Sequence, residues 1–239
     1  MAYSGMNTLK PRAIACFTPL ALLNAPLQGG VVYTQPTTSV PANVGLGWYS
    51  SSEPRPTRNF KHADNFVLAA DATIDTVRWW GLSEGVSHTN LSNFDTFTIE
   101  FWTGRTLPNG NIRPLDLISA TTIEDDETDA TATGRSSTSG ALEYMHEATL
   151  NEGVSLLAGE TYWISISARS IDPSADVWQW QDSDNYDTRS SSYDYGQSRW
   201  LVLEDTDSAF ELIAVPSPGT GFMLAMSGML AQRRRNRLR

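Results

Sequence analysis

Apolar residues recur along this chain with a period of two, in short runs separated by Gly, Pro, Asn and Asp. The clearest run is 94–102, where Phe97, Ile99 and Phe101 alternate with Thr96, Thr98, Glu100 and Trp102. Successive side chains of a strand point to opposite faces, so this pattern predicts a half-buried strand. Residues 161–168 repeat it, with Tyr162, Ile164 and Ile166 set against Trp163, Ser165 and Ser167. Comparable runs at 65–68, 73–81, 117–123, 142–150, 154–157, 176–181, 200–203 and 210–215 are rich in Thr, Val, Ile and aromatics, and no amphipathic helix of useful length interrupts them. The prediction is an all-β fold, an antiparallel β-sandwich of jelly-roll-like form. Phe66 and Leu68 share one face of their strand. Trp79 and Trp80 are neighbours and must point to opposite faces. Two stretches read as long surface loops: 124–140, acidic and then Ser/Thr-rich, and 182–198, rich in Ser, Asp and Tyr.

The two ends of the chain follow a different pattern. Lys10 and Arg12 precede the apolar run 13–25 with no acid before it, the layout of a secretory signal peptide, which we place at residues 1–30. At the other end, Pro216 and Pro218 hold the backbone away from helix until Gly219. From Gly219 to Ala231 there is no charge, about 13 residues or roughly 20 Å as a helix. That is a short transmembrane helix, since a full span takes about 20 residues. Arg233, Arg234, Arg235, Arg237 and Arg239 follow, which places this end on the cytoplasmic side, and their long side chains snorkel to offset the short span. Residues 31–214 are left as the β-sandwich domain.

Val215, Pro216, Ser217 and Pro218, the short Gly/Ala/Met/Leu segment and the arginine cluster together resemble a PEP-CTERM sorting signal, over about residues 214–239. Ser217 stands where that family usually has Glu. The resemblance implies an exported protein of a Gram-negative bacterium that is held transiently in the inner membrane. It implies an exosortase-like transpeptidase as partner, reading Pro216, Ser217 and Pro218 and cutting close to them. It also implies a destination at the cell surface or outside it, among extracellular polysaccharide. A looser resemblance links Ala63-Asp64-Asn65-Phe66 and Val77-Arg78-Trp79-Trp80-Gly81 to β-sandwich domains of other exported PEP-CTERM proteins, and it carries no activity with it.

Charge narrows the function of the domain itself. All 27 acidic residues lie within 31–215 together with 10 of the 17 basic ones, a formal charge of −17. Such a surface repels nucleic acid. The one cysteine, Cys16, falls in the signal peptide, so the exported domain is expected to rely on packing rather than disulfides. Catalytic patterns are missing: His62, His88 and His146 are scattered, His146-Glu147 lacks the second histidine of a metalloprotease motif, and no Gly-x-Ser-x-Gly elbow occurs. The expectation is a non-enzymatic protein with a structural or adhesive role.

Three alternatives stay open. Trp178 and Trp180 lie two apart and share one strand face, so with Tyr186 nearby they would form a stacking surface for carbohydrate; the competing account is that they fill the space between sheets. Asp182, Asp184 and Asp187 offer the hard oxygen ligands that calcium requires, against the account of a merely solvated acidic loop. A glycoside hydrolase needs only two carboxylates, and the domain has many.

Overall fold

The structure is a computed structural model that describes residues 29–37, 47–52, 60–84, 94–124, 127–137, 140–170, 177–184, 189–204 and 206–215. The expected signal peptide up to residue 28, the sorting signal beyond Val215, and Tyr186 and Asp187 lie outside the described residues. Among the described residues thirteen strands follow one another: β1 (Gly30–Gln35), β2 (Trp48–Tyr49), β3 (Phe60–Val67), β4 (Ala72–Glu84), β5 (Phe94–Thr106), β6 (Ile112–Glu124), β7 (Asp129–Ser136), β8 (Leu142–Leu156), β9 (Thr161–Ser170), β10 (Val177–Trp180), β11 (Arg189–Asp194), β12 (Arg199–Glu204) and β13 (Phe210–Ala214). Every pairing between them is antiparallel.

They form two sheets. In the seven-stranded sheet β1 pairs β13, which pairs β4, and β4 pairs β8, which pairs β7; beyond the end of β13, the far half of β4 pairs β10 and then β2. The six-stranded sheet runs β12-β11-β3-β9-β5-β6. The chain is therefore all-β, and the sheets face each other as a β-sandwich. Alternation places Phe66, Leu68, Phe97, Ile99, Phe101, Tyr162, Ile164 and Ile166 of one sheet against Ile74, Val77, Trp79, Ala148, Leu150 and Phe210 of the other, in one buried cluster. Trp79 is fully buried while Trp80 is only half-buried, as neighbours on opposite faces require.

The differences from the sequence-based expectations have physical reasons. The runs 142–150 and 154–157 are one strand, β8, carried through the register shift opposite Ile74–Thr76. The stretch 124–140 contains β7, a strand at the sheet edge whose residues are exposed or half-buried, so no apolar alternation marks it. The stretch 182–198 contains β11, which the sheet holds between β3 and β12; Ser190 and Ser191 are fully buried there because short side chains fit close beneath neighbours. β1 and β2 were not marked by any clear run.

The six-stranded sheet is covered on both faces. Its edge strands β6 and β12 approach each other, so the sheet curls, and its outer face encloses a second cluster built on Ala63, Trp163 and Trp200. Trp102, Ile112 and Tyr193 pack against this cluster. Gly104 allows the bend of β5: a Cβ there would stand 2.9 Å from the Thr161 carbonyl and 3.1 Å from Ile112.

Candidate functional site

The outer cluster carries the most distinctive surface chemistry. Tyr193 of β11 pairs Lys61 of β3 on one side and Trp200 of β12 on the other, so the three side chains rise from one row of the sheet. Glu100 and Trp102 reach them from β5. Lys61 Nζ lies 2.6 Å from Glu100 Oε2, and it stands 5.4 Å from the Trp102 ring, 5.5 Å from Tyr193 and 5.7 Å from Trp200. Trp102 Nε1 donates to the same Glu100 oxygen at 3.3 Å. The rings also meet each other edge-on, Trp102 with Trp200 at 5.7 Å and Tyr193 with both Trp200 and Tyr195. The ammonium thus sits in an aromatic box closed by one carboxylate, an arrangement that ring quadrupoles favour. Trp102, Tyr193 and Tyr195 remain half-buried, so part of each ring faces solvent.

The aromatic pair singled out in the sequence does something else. Trp178 and Trp180 share a face as expected, but that face is the inner one: they are 4% and 0% exposed and belong to the core between the sheets. Trp178 meets Phe97 edge-on at 5.5 Å, and Trp180 Nε1 donates to the Ala209 carbonyl at 2.9 Å. This corrects the expectation of a stacking surface at Trp178 and Trp180. The reason is that β10 lies inside the sheet, flanked by β4 and β2, with its inner face on the opposite sheet. Its outward Gln179 is buried as well, as is Gln181 just after the strand.

Asp182 follows β10 and lies in a polar seam between the sheets. It bridges Ser208, Ser183 N donates to the Asp207 carbonyl at 2.8 Å, and Ser183 Oγ donates to the Pro36 carbonyl at 2.6 Å. At the centre of the seam is Asp64, fully buried on β3. It accepts from Gln35 Nε2 at 3.1 Å, from Asn65 N at 2.8 Å and from the backbone N of Ser208. Burial, reinforced by the negative charge of Asp207, pushes the Asp182 carboxyl up to about 7. A carboxyl held protonated near neutral pH is the kind of group a hydrolase uses as an acid. Asp207 is fully buried and Asp182 half-buried. Asp184 is exposed beyond them. Among the described residues no three His, Cys, Asp or Glu side chains are grouped to hold a metal ion.

Two of the three histidines are core residues. His62 stacks on Trp48 at 5.5 Å, and His146 stacks on Trp79 at 5.4 Å, each pair within 9° of parallel. Burial pushes both imidazoles down to about 3, so they are neutral packing rings.

The sequence reading missed the Lys61 box because its members lie on four strands far apart in the chain. The available signal was phase: Trp102 and Trp163 occupy the outward positions of strands whose inward positions are also apolar.

A comparison with curated proteins finds no match. The family model described as a domain of unknown function, DUF7901, matches residues 31–222, which takes in the sandwich from β1 through β13. The chain belongs to the DUF7901 family.

Proposed function

We propose that this chain is an exported, non-enzymatic protein of the cell surface or extracellular matrix, working through a structural or adhesive β-sandwich. The signal peptide at 1–30 and the PEP-CTERM-like tail at 215–239 support export and sorting by an exosortase-like system, with the tail as a short membrane helix before processing. The interleaved strand orders β1-β13-β4-β8 and β3-β9-β5-β6 support a jelly-roll for the sandwich. The observation that carries the adhesive reading is the box around Lys61: partly exposed aromatic rings and an ion pair on a sheet face form a contact surface. Intact-mass analysis of the protein from a host that carries an exosortase tests the sorting. Loss of the chain beyond the 216–218 turn is expected; full-length protein retained in the cytoplasm defeats the reading.

A second reading rests on the same box. Trp102, Tyr193 and Tyr195 offer ring edges and faces of the kind that stack on sugars, with Lys61 and Glu100 as hydrogen-bonding neighbours. In this reading the domain is a carbohydrate-binding module that uses these residues in place of Trp178 and Trp180. Tryptophan emission titrated with a panel of polysaccharides should respond in the native chain and lose that response in Trp102→Ala. No response to any glycan removes this reading.

A further inference from the structure

Gly30 and Ala214 are register partners in the β1–β13 pair, so the segments that precede and follow the sandwich leave it side by side. The same end of the molecule holds the turn after β3 and the turn after β8. Ala72 pairs Leu156, Gly159 N donates to the Leu68 carbonyl, and Val215 N donates to the Thr73 carbonyl. Val31, Val32, Val67, Leu157 and Val215 all lie there, each 37–60% exposed. They make up five of the nine large hydrophobic residues described as exposed, so the apolar surface is concentrated at one end instead of scattered. The β5–β6 turn reaches this end as well, since Thr103 pairs Tyr162 and Tyr162 pairs Phe66. The turn carries Arg105 and Arg113, and Asp71, Asp75, Asp116, Glu152 and Glu160 lie toward the same end, five acids to two arginines.

We propose that this end is a docking surface for a zwitterionic lipid bilayer, used while the tail is still in the membrane. The inference rests on the reading of residues 219–231 as a membrane segment. Only residues 216–218 separate Val215 from that uncharged run, and a chain spans at most about 3.6 Å per residue, so the end stands within roughly 14 Å of the hydrocarbon. Partly exposed valines and a leucine held at that distance enter the interfacial zone, where burying apolar surface is favourable. A zwitterionic surface has no net charge, so the acids at this end meet no net repulsion from it. The signal peptide leaves from the same point, so both membrane segments present the same end of the sandwich.

The test uses the full chain with Cys16→Ser and a single new cysteine carrying a nitrobenzoxadiazole label, reconstituted in vesicles of phosphatidylethanolamine and phosphatidylcholine that contain a nitroxide-bearing lipid. Flotation with the vesicles is scored first. The label at Leu157→Cys should lose emission to the lipid quencher. The label at Gln197→Cys, in the β11–β12 turn at the far end, should not. Adding Val31→Ser and Val67→Ser, both on exposed positions, should restore emission at position 157 without preventing flotation. A floating chain whose label at position 157 is quenched no more than that at 197 overturns the docking surface and leaves the sorting-signal reading standing. A chain that does not float overturns both.

Discussion

Trp178 lies against the backbone of Gly81 so closely that a Cβ at position 81 would stand 2.2 Å from the indole Nε1. They lie diagonally across the β10–β4 pair, in which Gly81 pairs Trp180 and Trp178 pairs Ser83. The last inward position of the Val77–Gly81 run thus has no side chain because the Trp178 indole occupies that place.

Gly81→Ala is accordingly expected to destabilise the fold by about 1–3 kcal/mol, the usual cost of overpacking a core. The rigid indole cannot yield as a flexible side chain would. Urea unfolding of the variant should show a lowered midpoint at unchanged slope. Pairing it with Trp178→Leu should cost less than the sum of the two single changes, because they share one space.

Stability should depend on pH in two opposing ways. His62 and His146 have folded-state values near 3 against an ordinary 6.5, so their contribution is full above 6.5 and lost as pH falls toward 3. Asp182 is raised from 3.8 to about 7, so its contribution is full below 3.8 and lost as pH rises through 7. Between about pH 4 and 6.5 the two histidines outweigh Asp182, so the balance of these three groups is a loss of stability on acidification. In Asp182→Asn that loss should steepen, because the opposing group is gone. The same variant should be more stable than the native chain at pH 8, where Asp182 is ionised at a cost. Urea midpoints between pH 4.5 and 8 decide both points.

Arg78 ties three strands together on the outer face of the seven-stranded sheet. Its Nε and Nη2 donate to Glu147 on β8 at 2.8 and 2.5 Å, and its Nη1 donates to Glu211 on β13 at 2.5 Å. Arg78→Met should cost about 1 kcal/mol at low salt and less in 1 M salt, since partly exposed pairs are screened. A loss that does not shrink with salt would mean that packing of the arginine stem matters more than its charge.

Removing the cation from the aromatic box leaves Glu100 half enclosed without its partner. Lys61→Met should lose about 1–3 kcal/mol and shift tryptophan emission, because Trp102 and Trp200 both border the ammonium. Adding Glu100→Gln should recover much of the loss, which separates the ion pair from simple packing in a double-mutant cycle.

How far the sequence carried the fold can be traced strand by strand. Phe97, Ile99 and Phe101 alternate with polar neighbours, and β5 lies where that pattern put it. Trp178 and Trp180 were correctly given one face, but alternation does not say which face of a sheet is the inner one when both are covered. β11 has no apolar alternation to mark it: Ser190 and Ser191 are buried by being small, and its serine run looks like a loop in sequence. The Lys61 box depends on register between β3, β5, β11 and β12, a long-range property that no local spacing records.

A sheet wrapped on both sides constrains its central strand in an unusual way. Every residue of β9 from Tyr162 to Ala168 is buried, the even positions in the inter-sheet core, Trp163 in the outer cluster, and Ser165 and Ser167 beside it in the chain. Most strands keep one phase free to vary with little penalty. β9 has no such phase, so seven consecutive positions bear on stability at once. A saturation scan of the chain should therefore find its least tolerant stretch in this strand rather than at any surface motif.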